Sequence, residues 1–171
     1  MTQPDLVDET VTAWCTELPE LAGLPLELGR RIIRLAAVFE SAANTELERL
    51  GLTKAEHQVL ARLRGAGPPY RGKPNELTKS LALSAGGTTN VLHRLAAGGL
   101  VSRETDPDDR RSSWVRLTAN GVRTAEAAVL ATNRAHAELL DRLPASIARA
   151  LADLLRDTMH SVDGRPLTYR R

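Results

Sequence analysis

The chain has 171 residues, of which 42% are hydrophobic and 26% charged, which suits one compact domain or a domain with an appended dimerisation module and excludes a disordered chain. Aromatic residues make up only 3%, too few for the stacking platforms of carbohydrate or single-strand binding. The net charge of +2 is unevenly spread: residues 1–29 hold six acids and no Lys or Arg, whereas residues 71–116 hold eight basic residues against five acids, so a polyanion is drawn to the middle of the chain.

Taken in chain order, the pattern is mostly helical. Leu6, Val7, Val11, Trp14, Cys15 and Leu18 fall mainly at spacings of three and four, predicting a short amphipathic helix from Asp5 to Leu18. Pro19, Gly23 and Pro25 interrupt it, and a longer helix is expected over Leu26–Leu50, with Gly51 as its C-terminal cap. Thr53 followed by Glu56 is a capping-box pattern that starts a helix over Lys54–Arg64. The stretch from Gly65 to Pro74 reads as a connecting loop, followed by a helix over Asn75–Leu81. Ser84 then caps a helix ending near Ala97, where Gly98-Gly99 stops it.

Beyond that point Leu100–Glu104 and Trp114–Leu117 read as two short strands, joined by the turn-forming, charged stretch Asp106 to Ser113. Thr118 caps a helix over Asn120–Leu143, Pro144 breaks it, and a last helix spans Ala145–His160. The stripe Ile147, Leu151, Leu154, Leu155 and Met159 on that last helix has no partner within the central region. The tail from Gly164-Arg165-Pro166 reads as frayed and basic. These elements divide the chain into N-terminal helices over 1–50, for dimerisation and an effector pocket, a DNA-binding unit over 51–118, and C-terminal dimerisation helices and tail over 119–171.

The fold class expected is therefore mostly α with a small β-hairpin: helix, turn, helix, hairpin, helix. A helix of about 10 Å diameter fits the roughly 12 Å major groove of duplex DNA, where base edges differ in donors and acceptors. Leu92 and Leu95 belong to the inner face of the candidate reading helix, and Thr88, Thr89, Asn90, His93 and Arg94 to the outer one or its margins. Asn90 suits adenine and Arg94 suits guanine or phosphate, while Ser84, Gly86 and Gly87 let the helix start approach a phosphate. Taken alone, this helix fits either a DNA reader or an ordinary solvated surface. The hairpin favours the reader: Arg110 and Arg111 at its tip suit a narrow minor groove, and Asp109 beside them suits a hydrogen-bonding brace for an arginine or the turn.

Asp106-Pro107-Asp108-Asp109-Arg110-Arg111, followed by Leu117-Thr118-Ala119-Asn120-Gly121, resembles the wing signature of the MarR family, whose Asp-x-Arg-x5-Leu-Thr pattern falls on Asp109, Arg111, Leu117 and Thr118. Ser84 to Asn90, Arg94-Leu95 and Gly99-Leu100-Val101 resemble its reading helix and first wing strand. The resemblance covers about Leu28 to His160. It implies a winged helix-turn-helix regulator that binds a pseudo-palindromic double-stranded operator as a homodimer through interdigitated terminal helices, as a ligand-responsive repressor. His93 stands where many members carry Asp, which suggests that Arg94 is released from an internal pair.

The N-terminal helix with Trp14 and the loop Gly67 to Arg71 resemble the urate-responsive, PecS- and HucR-like branch. The urate-holding positions of that branch fall here on Trp14, Gln58, Val91 and Arg103, of which only Trp14 and Arg103 match. An anionic purine would lose a guanidinium at Val91, so a different small-molecule effector is expected over Trp14, Gln58 and Arg103, with plain core packing the competing reading of Trp14. Cys15 offers a redox-sensing alternative, but Glu17, Glu20 and Glu27 nearby would raise rather than lower its pKa, and a small buried hydrophobe is the better reading.

No membrane partner and no cofactor are expected, since no apolar run approaches the roughly 20 residues of a spanning helix. Met1-Thr2-Gln3-Pro4-Asp5 carries no basic or hydrophobic leader, and Cys15 alone forms no intrachain disulfide, so a cytoplasmic setting is expected. The four histidines, His57, His93, His136 and His160, have no metal-ligand spacing, and no phosphate loop or nucleophile elbow occurs, so no enzyme is expected. A winged-helix module for protein interaction is the other alternative; the arginines of the tip and the absence of acids between Ser84 and Arg94 argue against it.

Overall fold

The computed structural model describes residues 4–81, 84–105 and 113–163. Seven helices and a three-stranded antiparallel sheet follow one another as α1 (Leu6–Glu17), α2 (Leu24–Arg49), α3 (Lys54–Gly65), β1 (Arg71–Gly72), α4 (Pro74–Ser80), α5 (Ala85–Ala97), β2 (Val101–Thr105), β3 (Ser113–Leu117), α6 (Ala119–Leu140) and α7 (Ala145–Asp163). A single 3-10 turn, Pro19–Leu21, separates α1 from α2.

Local chemistry sets most of the helix ends. Asp5 caps α1 by accepting from the amides of Val7 and Asp8 at 2.8 and 3.0 Å, while the Asp8 carboxylate accepts from the Asp5 amide at 2.7 Å. Both carboxylates also receive Arg31 of α2, at 3.0 and 2.5 Å, which clamps α1 against α2. Gly51 closes α2 at φ +67°, and the Leu52 amide reaches back to the Leu47 carbonyl at 2.9 Å. Helix α6 ends at Leu140, three residues short of the expected Leu143: Asp141 keeps helical backbone angles as its cap, and the amides of Arg142 and Leu143 turn back to the Leu139 and Leu140 carbonyls at 3.3 and 2.9 Å.

The core sits under α5 and the sheet. Val59, Leu60 and Leu63 of α3, Leu77 of α4, Leu92 and Leu95 of α5, and Val101, Val115 and Leu117 of the strands close around Leu47 of α2 and Ala125 and Ala128 of α6. Residues 1–50 and 119–171 thus each supply side chains to the same core as the central segment. Arg64 of α3 binds Glu126 of α6 at 2.7 Å and lies over the Tyr70 ring, holding α6 to the base of the sheet. Strand β1 lies in the stretch expected as a loop; two residues carry no alternation to detect, and the strand exists only because Arg71 and Gly72 pair with Arg116 and Val115.

A different surface is left uncovered. Leu24, Leu28 and Ile33 on α2 and Ile147, Leu154 and Met159 on α7 are all at least half exposed, Leu154 to 65%. Residues of α2, α6 and α7, among them Ile32, Phe39, Leu140, Leu151 and Leu155, line an apolar groove of about 380 Å³. No helix among the described residues is long and apolar enough to cross a membrane.

Candidate nucleic-acid interface

Helix α5 is anchored from its inner side. Ser84 caps it by accepting from the Gly87 amide at 3.0 Å, and Leu92 and Leu95 are buried. Thr88 belongs with them. It is only 2% exposed, its hydroxyl donates to the Ser84 carbonyl at 3.0 Å, and it accepts from the Thr78 hydroxyl of α4 at 2.9 Å. The structure corrects the placement of Thr88 among the outward DNA contacts: it stands one turn before Leu92 on the face that α4 crosses, and it locks the two helices of the motif together.

Ser84, Gly86, Thr89, Asn90, His93 and Arg94 are exposed. The Thr89 hydroxyl donates to the Ala85 carbonyl at 3.0 Å, so it meets an external group chiefly as an acceptor. A Cβ at Gly86 would meet nothing within 4 Å, so the helix start is open to an approaching molecule. The exposed side of α5 carries no acid, and its two imidazole and guanidinium groups lie one residue apart.

Arg94 is not released from internal pairing. Its Nε lies 3.0 Å from Oε1 of Glu56, whose side chain is 7% exposed while that of Arg94 stays 63% exposed. The other oxygen of Glu56 accepts from the Thr53 amide and hydroxyl, each at 2.8 Å, and Thr53 in turn accepts from the Glu56 amide. The expectation drawn from His93 fails because the partner comes from α3 rather than from the neighbouring position. Glu56 was visible in the sequence only as a capping residue; its second role depends on α3 and α5 crossing.

Strands β2 and β3 form the hairpin, in register from Val101 opposite Leu117 to Thr105 opposite Ser113. Asp109, Arg110 and Arg111 lie outside the described residues. The second half of the signature is structural. Thr118 caps α6 by accepting from the Gly121 amide at 3.0 Å, and its hydroxyl donates to the Gly99 carbonyl at 2.7 Å. Gly121 is required there: a Cβ would stand 1.9 Å from the Leu100 carbonyl oxygen. Leu117 is buried. This segment ties the start of α6 to the backbone at Gly99 and Leu100, where the chain enters the hairpin.

On the outer face of the sheet the guanidinium of Arg71 lies 4.4 Å from the centre of the Trp114 ring and the Lys73 ammonium 4.9 Å. Arg116, opposite Arg71 on β3, is drawn to Glu104 of β2 at 3.1 Å. Arg71 and Lys73 belong to the stretch expected as a connecting loop. Their signal was a tryptophan at an outward strand position, recognisable only once β1 is known to pair there.

The remaining positions are scattered. Trp14 sits on α1 and is 43% exposed, Gln58 is half-buried on α3, Val91 half-buried on α5 and Arg103 exposed on β2. The two cavities beside α1, of about 420 and 680 Å³, are lined by Leu6, Val7, Ile33, Arg34 and Val38 among others, and not by Trp14, Gln58 or Arg103. Cys15 is half-buried rather than fully buried, on a helix that packs chiefly against α2 and the adjoining 3-10 turn. Burial holds the His57 imidazole below its ordinary pKa and so favours its neutral form. Among the described residues no group of three or more His, Cys, Asp or Glu side chains is arranged to hold a metal ion.

Comparison with known proteins places this arrangement. The model of the MarR family matches residues 50–112. The multiple antibiotic resistance protein MarR of Escherichia coli (strain K12) is 32% identical over 135 residues, covering 78% of this chain and 92% of MarR. The HTH-type transcriptional regulator PecS of Dickeya dadantii (strain 3937) is 29% identical over 115 residues, covering 67% of this chain and 69% of PecS. The structure of wild-type, apo E. coli MarR superposes with a TM-score of 0.70 at 32% identity, over 77% of this chain and 96% of that one. A mutant E. coli MarR complexed with operator DNA superposes with a TM-score of 0.67 at 29% identity, over 91% of this chain and 99% of that one. By sequence identity over most of both chains and by superposition, this chain belongs to the MarR family of winged helix-turn-helix transcriptional regulators.

Proposed function

We propose that this protein is an operator-binding repressor that acts as a homodimer and releases DNA when a small molecule binds. The observation that carries the DNA reading is the outer face of α5: Thr89, Asn90, His93 and Arg94 stand exposed on a helix whose other side is pinned by Thr88, Leu92 and Leu95, with no acid among them. A rigid helix of this kind can enter a major groove and present amide, imidazole and guanidinium donors to base edges. Arg110 and Arg111 supply the minor-groove contact in this reading, with Asp109 as their brace. The superposition on a relative complexed with operator DNA supports it.

The homodimer rests on the uncovered apolar faces of α2 and α7, which a second copy would bury about a two-fold axis, matching a pseudo-palindromic site. The proposed effector is a small molecule; Trp14, Gln58 and Arg103, one residue each from α1, α3 and β2, do not line the cavities beside α1 and are not assigned as its site. Selection of duplexes from a random pool by the purified protein, followed by a gel shift, tests the central claim. A two-fold related consensus with a marked preference over scrambled duplex is expected. Weak binding independent of sequence would refute operator recognition.

A further inference from the structure

Two cavities open where α1 meets α2, and they differ in charge. The larger, of about 680 Å³, is lined by Asp5, Glu9 and Arg31, and Arg31 already bridges Asp5 at 3.0 Å and Asp8 at 2.5 Å. The smaller, of about 420 Å³, has no acid among the described residues that line it. Arg30 and Arg34 stand on it one turn apart, and Leu6 and Val7 of α1 with Ile33 and Val38 of α2 supply apolar walls. Arg34 and Val38 border both cavities.

Neither Arg30 nor Arg34 has an ion pair among the described residues, although α1 carries Asp5, Asp8 and Glu9. Asp5 and Asp8 are engaged by Arg31 and by the cap of α1. Like charges four residues apart on a helix repel, so the pair is unfavourable as it stands. A carboxylate can accept from both guanidiniums and removes that repulsion. An inorganic ion would leave the apolar walls wet, whereas the volume lies within the roughly 300–1,000 Å³ of small-molecule sites. A two-fold contact centred on this cleft would set the two guanidiniums against their own copies, so the charges fit a small anion rather than the partner subunit.

We propose that the cleft between α1 and α2 binds a small amphipathic carboxylate, its head on Arg30 and Arg34 and its apolar body against Leu6, Val7, Ile33 and Val38. This rests on the reading above that a small molecule releases DNA, and gives that effector a site. Helix α2 carries the cleft towards its start and Leu47, a core residue beneath the reading helix, near its end. One continuous helix therefore joins the ligand to the DNA-binding unit.

The test uses the full chain at neutral pH, with octanoate as the probe and octan-1-ol, a similar body without the charge, beside it. Calorimetry compares the wild type, the glutamine pair Arg30→Gln with Arg34→Gln, the lysine pair Arg30→Lys with Arg34→Lys, and Val38→Trp, which fills the apolar end and keeps the cations. Thermal melts verify folding. The wild type should bind octanoate roughly tenfold or more tighter than octan-1-ol, the margin of a charge-assisted contact. The glutamine pair should lose that margin, the lysine pair should keep most of it, and Val38→Trp should lose both ligands. Octanoate should also weaken the hold of the wild type, and not of the glutamine pair, on a duplex selected from a random pool. A folded glutamine pair that binds octanoate as the wild type does overturns the site alone. Octanoate that binds through both cations and leaves duplex affinity unchanged overturns the effector role and keeps the site. A wild type that binds no octanoate overturns the proposal; if the glutamine pair then sediments as monomers beside a dimeric wild type, the cleft belongs to the subunit contact.

Discussion

Arg94 of the reading helix and Glu56 at the start of α3 are joined at 3.0 Å, with the carboxylate shielded from solvent and the guanidinium largely exposed. One side chain thereby performs two tasks, since the second oxygen of Glu56 completes the cap of α3. The pair orients an exposed cation on the face proposed to meet DNA, from a base that cannot easily move.

Replacing Glu56 with Gln should separate those tasks. An amide can still accept from Thr53, but the charge facing Arg94 is gone. A stability loss of about 1–2 kcal/mol is expected in urea denaturation, in line with a hydrogen bond between charged groups. Glu56→Ala should lose roughly 1 kcal/mol more, because the reciprocal half of the capping box, the bonds from Thr53 to the Glu56 side chain, goes as well. A wild-type midpoint for Glu56→Gln would show that the pair contributes nothing to the fold.

Gly121→Ala tests the close approach of α6 to the strand entry. The new methyl would stand 1.9 Å from the Leu100 carbonyl oxygen, a backbone atom that cannot swing aside. Destabilisation of at least about 2 kcal/mol is expected, as for other overpacked sites. Because the hairpin must tilt to make room, duplex affinity should fall further than stability alone accounts for, read by gel shift at a temperature where the variant is fully folded.

Asn90 and Thr88 should behave as opposites although they are two residues apart. Asn90→Ala is expected to keep the wild-type melting temperature and lose about 1–3 kcal/mol of discrimination at one base pair of the selected site. Thr88→Val removes hydrogen bonds to Ser84 and Thr78. It should lower stability by about 1 kcal/mol and leave base preference unchanged. Loss of base preference on Thr88→Val would return that residue to the interface.

Leu154→Asp examines the dimer. The side chain is 65% exposed on α7, so a lone subunit should tolerate the change. In a homodimer closed through α2 and α7 it would bury an unpaired carboxylate, and sedimentation should show monomers where the wild type gives dimers. A dimeric variant of unchanged affinity would place the interface elsewhere.

The order of the helices and of the two hairpin strands, the caps at Thr53, Ser84 and Thr118 and the apolar stripes were legible in the sequence, because each depends on neighbours within about four residues. Thr53 with Glu56, Ser84, Gly51 and Thr118 end or begin helices wherever their local chemistry acts, and the structure places them there. The reading helix was equally visible, and so was the family to which the motifs point. What only the tertiary structure decided are relationships between segments far apart in the chain. Thr88 turned inward because α4 crosses beneath α5, Arg94 found its partner on α3, and β1 formed because β3 offered an unpaired edge. The same pairing set Arg71 and Lys73 against Trp114, some 40 residues downstream, where spacing along the chain carries no trace of it. The winged helix was written locally; the network of charges around it exists only in three dimensions.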